Sequence, residues 1–201
     1  MFDFLLDLVF PRFCVGCGKL GKFICQRCRR SVQFYDQSTS LPEIDDVFVL
    51  AHYNGVIRQA IKEIKYRGTY AITQELANLI CQHFHQQFPI DYLVPVPLAP
   101  KRQAERGFNQ AEKLAKYLKL APVLNCLVRK RETKPQFDLK IGERKRNVHN
   151  AFITTGRRLP PGNYCLVDDV ATTGATLSEC AKALKKAGVK KVYAICAARG
   201  N

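Results

Sequence analysis

The sequence predicts an α/β fold, with a parallel sheet flanked by helices, preceded by a small cysteine-rich module. Two observations lead to this prediction. Short apolar runs typical of buried strands alternate with segments of helical spacing, and four cysteines in two C-x-x-C pairs lie near the start of the 201-residue chain. The stretch 36–45 is polar and contains proline, so we expect it to link a module at 1–40 to a larger domain at 41–201.

The elements are predicted in order along the chain. Residues 1–10, MFDFLLDLVF, have the spacing of an amphipathic helix, and their two acids and lack of a basic start argue against a signal peptide. Gly68 and Gly188 are typical ends of helices. Strands are predicted at 47–53, 92–97, 151–155, 164–170 and 191–200, and helices at 55–66, 69–87, 109–120 and 177–188.

The charge of the chain points to polyanionic partners. Lysine and arginine number 32 against 17 acids, which gives a net charge of +15, and the excess is greatest at 101–150. Nucleic acids and phosphorylated ligands are the partners that such a charge favours. The sequence contains no run of about 18 apolar residues, so we expect no stable membrane insertion.

The cysteine cluster has the spacing C-x2-C-x7-C-x2-C and consists of Cys14, Cys17, Cys25 and Cys28. Four thiolates from two such pairs close a tetrahedron around zinc and leave no open position, which predicts a structural metal. A redox pair of the thioredoxin kind needs only one C-x-x-C, so the second pair argues against it. The other five of the nine cysteines are scattered through apolar segments, which is typical of a reducing, cytoplasmic compartment.

The segment 165–176, CLVDDVATTGAT, carries the strongest signal of a ligand site. Asp168 and Asp169 lie where a buried parallel strand ends, and ligands bind at that edge of such sheets. The turn that follows opens a helix whose free N–H groups attract phosphate, and Gly174 allows close approach. The acids would repel a bare phosphate but accept hydrogen bonds from a vicinal diol, so the pair predicts a ribose 5-phosphate.

The residue pattern of this segment admits three other interpretations. An LVDDV strand is also typical of ATPases that hold magnesium, but the phosphate-binding motif G-x-x-x-x-G-K-[ST] is absent. A dinucleotide site would need G-x-G-x-x-G, which is absent as well. A strand-to-helix turn with solvated acids and no ligand remains the third interpretation.

The motif VDDVATTGAT resembles the phosphoribosyl pyrophosphate (PRPP) signature of type I phosphoribosyltransferases. Three further segments resemble the ComF/GntX family, whose phosphoribosyltransferase-like proteins are associated with DNA uptake in natural competence. These segments are YNGVIRQAIKEIKYRG, LVPVPLAPKRQAERGFNQAEKLA and RETKPQFDLKIGERKRNVHNAF. The resemblance spans nearly the whole chain and implies a type I phosphoribosyltransferase fold for the larger domain.

The resemblance also implies roles for individual residues. Asp168 and Asp169 would hold the ribose hydroxyls, and magnesium would bridge these hydroxyls and the diphosphate. The loop around the 5′-phosphate would consist of Ala171, Thr172, Thr173, Gly174, Ala175 and Thr176. The candidates for the diphosphate are Lys101, Arg102 and Arg106, with Lys65 and Tyr66 as further residues facing the same cleft.

A basic segment follows in the chain, and the sequence leaves its role open. In one interpretation the segment closes over the PRPP site as a mobile loop. In a second it binds single-stranded DNA, with its cations contacting phosphates and its aromatic ring stacking on a base. In a third it is a solvated basic surface without a ligand. Its residues are Arg129, Lys130, Arg131, Lys134, Phe137, Lys140, Arg144, Lys145 and Arg146.

We therefore expect a ComF-type competence protein that takes up or processes single-stranded DNA and binds PRPP, with zinc and magnesium as its metals. Expected partners are PRPP, single-stranded DNA and other competence proteins, such as a DNA-uptake helicase or a recombination mediator. One alternative is a metabolic phosphoribosyltransferase that acts on a nitrogen acceptor, and another is a DNA-binding adaptor with a vestigial site. The four histidines share no common spacing, so the sequence identifies no general base and leaves catalysis open.

Overall fold

The computed structural model describes residues 11–130, 148–156 and 158–200. The predicted helix at 1–10 and most of the basic segment lie outside these residues. The helices are α1 (Gln26–Arg30), α2 (Gly55–Arg67), α3 (Tyr70–Phe84), α4 (Pro100–Arg106), α5 (Gln110–Leu118) and α6 (Ala175–Lys186). The strands are β1 (Asp46–His52), β2 (Tyr92–Pro95), β3 (Leu127–Arg129), β4 (Phe152–Thr154), β5 (Asn163–Ala171) and β6 (Lys191–Arg199).

The main sheet has four strands in the order β1-β6-β5-β2, and every neighbouring pair is parallel. The prediction of a parallel sheet flanked by helices is therefore confirmed. The strand predicted at 151–155 exists as β4, but it pairs with β3 in a separate antiparallel ribbon. Periodicity did not reveal β3, because three residues are too few to show an alternating pattern.

The two faces of the sheet are covered by different elements. Along β5, Cys165 and Val167 pack with α2, α3 and α5, whereas Tyr164 and Leu166 pack with α6 and the β3–β4 ribbon. This alternation is the two-residue period of a strand, and apolar residues on both faces are typical of a parallel sheet. Within the described residues no helix is both long and apolar enough to cross a membrane.

One helix end agrees with the sequence prediction and the next one differs. Gly68 ends α2 with φ +66°, as expected of a glycine at a helix terminus. The next helix ends at Phe84 rather than at residue 87, because His85 and Gln86 adopt positive φ values that the helical pattern did not signal. The helix α4 begins with Pro100 at its first position, where proline has no hydrogen bond to lose.

The stretch predicted as a linker contributes a residue to the core. Leu41 is buried with residues of β1, β5 and α6. A Cβ atom on Gly174 would lie 2.2 Å from Cδ2 of Leu41, so only glycine leaves room for this leucine beneath the start of α6. The segment after the cysteine module is thus packed against the base of the predicted phosphate loop.

Candidate functional site

Asp168 and Asp169 lie near the carboxyl end of β5, between β6 and β2 in the sheet. The strand continues to Ala171, so the acids precede its last residue by two and three positions. Because successive side chains of a strand point to opposite faces, Asp169 lies on the α2 face and Asp168 on the α6 face. Together they bracket the end of the strand, where ligands of parallel sheets bind.

Lys65 on α2 forms an ion pair with Asp169, and Nζ lies 2.7 Å from Oδ2. The two side chains are only 19% and 10% exposed, so water screens the pair weakly. The helical spacing of α2 directs Lys65 toward the sheet, since Ile57, Ile61 and Ile64 bury the same side of the helix. The sequence predicted Lys65 for this cleft, and the structure brings it to one of the two acids.

Asp168 lies in a poorly solvated position. The pKa of this carboxyl is raised to about 8. Burial makes the largest contribution, the charge of Asp169 also raises the pKa, and the charge of Lys65 lowers it. Oδ1 of Asp168 accepts a hydrogen bond of 2.8 Å from the Asp169 N–H. One ammonium group does not neutralise two adjacent carboxyls. At neutral pH this arrangement therefore favours either a proton on Asp168 or a second cation bound to the pair.

The predicted phosphate loop connects β5 to α6. Gly174 caps the helix at φ +75°, a conformation that other residues adopt at a cost. Thr172, Thr173 and Thr176 are half-buried, and the Thr173 hydroxyl accepts a hydrogen bond of 3.4 Å from the Ala175 N–H. The loop thus joins three hydroxyls to the positive end of a 12-residue helix, an arrangement that suits a phosphate.

The basic residues predicted to bind diphosphate lie on α4, which follows β2. Arg106 is half-buried near Asp169, Arg102 and Tyr66, and burial lowers the pKa of its guanidinium while the charge of Asp169 raises it. Its Nη1 donates a hydrogen bond of 3.1 Å to Gln110. Lys101 is exposed, and Arg102 is half-buried. The structure therefore brings Lys65 and Arg106 to Asp169, and Tyr66 and Arg102 to Arg106.

Arg199 is a candidate site residue that the sequence interpretation missed. It ends β6 opposite Ala171 of β5, at the same end of the sheet as Asp168 and Asp169. Nη1 of Arg199 is buried and has no hydrogen-bond partner among the described residues. A buried N–H donor without a partner is costly, so this atom is suited to an anion at the strand ends. The sequence signal for it is a charged residue that follows the uncharged run 192–198 of the strand.

Only two of the nine residues proposed for the basic segment are described. Arg129 ends β3, and its guanidinium carbon lies 5.3 Å from the ring centroid of Phe152. Lys130 is exposed, and its N–H donates to the Ala151 carbonyl. The residues outside the described part are Arg131, Lys134, Phe137, Lys140, Arg144, Lys145 and Arg146.

The four predicted metal ligands converge in space. The sulfur atoms of Cys14, Cys17, Cys25 and Cys28 all lie within 4.8 Å of one another. The Cys25 N–H points at the Cys14 sulfur at 3.4 Å. A Cβ atom on Gly16 would lie 2.9 Å from the Cys28 sulfur, so glycine is required there. Four convergent thiols with N–H support match the donor set of a tetrahedral zinc site.

The cysteine module is held on the larger domain through α3. The carboxylate of Glu75 accepts hydrogen bonds from the N–H groups of Phe23 and Ile24, at 3.2 and 2.8 Å. Ile24 is buried in the core cluster that contains α2 and α3. The second pair of cysteines is therefore anchored by charge-assisted hydrogen bonds and by an apolar contact.

Comparisons with known proteins give a consistent result, although no family model matches the chain. The chain is similar to competence protein F of Haemophilus influenzae, with 31% identity over 198 residues, or 89% of this chain and 86% of that protein. It is 32% identical over 188 residues to competence protein ComFC of Bacillus subtilis, or 91% and 75% of the two chains. It is 30% identical over 203 residues to DNA utilization protein YhgH of Escherichia coli, or 92% and 83%.

Proposed function

Because the chain belongs to the family of the ComF and ComFC competence proteins and the YhgH DNA utilization proteins, we propose that it acts in the uptake and use of DNA. In this proposal the larger domain binds PRPP together with magnesium, and the basic segment at 129–146 binds single-stranded DNA. The names of the relatives support the DNA role, and the arrangement at the end of β5 supports the ligand.

The observation behind the PRPP proposal is the succession of two carboxylates and a phosphate-binding helix start along one strand. Asp168 and Asp169 precede the loop of Ala171 to Thr176 by only a few residues. The carboxylates suit the hydroxyls of a ribose, and the loop suits its 5′-phosphate. Both parts of a ribose 5-phosphate would thus meet groups of the matching kind.

The diphosphate of PRPP needs positive charge, and the same edge of the sheet supplies it. The candidates for this charge are Arg102 and Arg106 on α4, Arg199 at the end of β6 and the exposed Lys101. Guanidinium groups bind phosphate oxygens in pairs, which suits a diphosphate. Magnesium would neutralise the remaining charge of the diphosphate, with Asp168 and Asp169 as the nearest carboxylates.

The four-cysteine cluster is proposed as a structural zinc site. Its donor set is complete, and it leaves no position for a substrate. The zinc ion would order a segment that contains few buried side chains of its own, and Ile24 and Glu75 would then transmit that order to α3.

Isothermal titration with PRPP and magnesium tests the ligand site. The double variant Asp168→Asn, Asp169→Asn should lose detectable binding while its circular dichroism is unchanged. The matched control is Asp36→Asn, Asp46→Asn, which removes two exposed acids outside β5. An unchanged affinity in the first variant would contradict the proposed PRPP site.

Fluorescence anisotropy with a labelled oligothymidine tests the DNA role. The affinity should fall steeply between about 50 and 200 mM salt if several cations contact phosphates. The absence of binding at low salt would contradict the DNA half of the proposal and leave the PRPP half intact. Repeating the titration with saturating PRPP measures the coupling between the two ligands.

A further inference from the structure

Two tyrosines are exposed where α2 passes into α3. The side chain of Tyr66, near the end of α2, is 71% exposed, and Tyr70, the first residue of α3, is 45% exposed. Large aromatic side chains contribute to stability mainly when they are buried, so their exposure in pairs points to a role in binding.

A cation accompanies each of the two rings. The guanidinium carbon of Arg106 lies 5.9 Å from the ring centroid of Tyr66, and Nζ of Lys113 lies 4.9 Å from that of Tyr70. Tyr70 also packs edge-on against Phe108, with centroids 5.0 Å apart and an angle of 75°. The rings are therefore held by their neighbours, which lowers the entropy lost when a ligand stacks on them.

This surface adjoins the acids at the end of β5. Tyr66 directly follows Lys65, whose ammonium group pairs with Asp169. The charge of Asp169 acts on the guanidinium of Arg106, which also lies over the ring of Tyr66. A ligand on the tyrosines would consequently lie next to the proposed ribose site and share Arg106 with it.

We propose that Tyr66 and Tyr70 form a stacking surface for the bases of single-stranded DNA, with Arg102, Arg106 and Lys113 contacting its phosphates. The proposal rests on the DNA-binding part of the proposed function. It gives Tyr66 the role of stacking on a base, in place of the expected contact with the diphosphate of PRPP. Every base has a face that stacks on an aromatic ring, and cations beside the rings match the phosphates between bases.

The alternation of rings and cations favours a nucleic acid over a protein partner. An apolar protein segment would bury Arg106 and Lys113 without an anion to pair with them, which is unfavourable. The net charge of +15 adds a long-range attraction toward a polyanion. A strand bound here would run past Asp168 and Asp169, so PRPP and DNA should influence each other's affinity through Arg106.

The test compares an oligothymidine with an oligonucleotide of the same length whose central sugars lack bases. Tyr66→Leu with Tyr70→Leu keeps an apolar surface but removes the aromatic faces, and Tyr66→Phe with Tyr70→Phe keeps the faces. The leucine variant should bind the oligothymidine more weakly than wild type, by a factor of about 5 to about 100. The phenylalanine variant should bind within about twofold of wild type.

Two further measurements separate stacking from charge and from folding. The leucine variant should bind the base-free oligonucleotide as well as wild type does, with an unchanged salt dependence, because its cations remain. The single variant Tyr66→Leu, which changes the more exposed ring, should already lose at least about threefold and melt as wild type does.

Equal affinity of the wild type and the leucine variants for oligothymidine would overturn the assignment. So would an equal loss for the base-free oligonucleotide, because that pattern would indicate altered charge rather than stacking. In either case the DNA role itself stands as long as wild type binds the strand. A wild type that binds neither oligonucleotide would contradict the DNA role instead.

Discussion

Nζ of Lys65 on α2 lies 2.7 Å from Oδ2 of Asp169 on β5, and this ion pair connects a surface helix to the central strand at the candidate site. The ammonium group contacts the carboxylate to which the proposed ribose hydroxyls would bind. Lys65 thus stabilises the acid in the free protein, and a diol bound to Asp169 would contact the same carboxylate.

Replacement of Lys65 by methionine should destabilise the protein. The change leaves Asp169 buried without its partner, which costs about 2–4 kcal/mol in the free energy of unfolding. The matched control is Lys62→Met, an exposed lysine of the same helix, whose effect should stay within about 0.5 kcal/mol. Urea denaturation at pH 8 measures both, and equal stabilities of the two variants would show that the pair contributes nothing.

The stability of the protein without ligand should depend on pH with a sign unusual for a carboxyl. In the folded state the pKa of Asp168 is raised to about 8, well above the usual value of about 3.9 in the unfolded chain. Between these values the folded state binds the extra proton, so this group makes the free energy of unfolding fall as the pH rises. Its contribution is at most about 1.4 kcal/mol per pH unit.

The variant Asp168→Asn lacks the titrating carboxyl and therefore tests its contribution to the pH dependence of stability. From pH 5 to pH 8 the free energy of unfolding of the variant should fall less than that of wild type, as followed by urea denaturation. If both proteins lost the same stability over this range, Asp168 would not carry the raised pKa.

The cysteine cluster should bind one zinc ion per chain. Elemental analysis of the purified protein should find this stoichiometry and its loss in Cys25→Ser. Cys81→Ser changes an exposed cysteine outside the cluster and should keep the metal. The melting temperature of Cys25→Ser should also fall, because Ile24 beside it packs in the core. Retention of zinc in Cys25→Ser would rule out a four-cysteine site.

Arg199 should contribute to phosphate binding. Arg199→Gln should weaken the affinity for PRPP about 10-fold to 100-fold, the range for one charge-assisted hydrogen bond, and Arg199→Lys should recover part of the loss. Arg58→Gln removes an exposed arginine at the start of α2 and should leave the affinity unchanged. Titration calorimetry measures all three, and wild-type affinity in Arg199→Gln would exclude this residue from the site.

Much of the site was predictable because its signals are local in the chain. The acids, the threonine loop and the helix all lie within 168–186, and the four cysteines within 15 positions, so spacing alone suggested their chemistry. The parallel sheet was predictable as well, since buried strands and amphipathic helices differ in period. The ends of α3 and the short strand β3 were not, because positive φ values and three-residue pairings leave no periodic trace.

The order of the predicted strands and helices, the spacing of the four cysteines and the succession of acids and threonine loop can all be read along the chain. Which distant residues meet at the candidate site depends on how the chain folds. Lys65 reaches Asp169 across 104 positions, Leu41 fills the space beneath Gly174, and Arg199 lies beside Ala171. Such contacts depend on the packing of helices on a twisted sheet and on strand register, which a one-dimensional pattern does not encode.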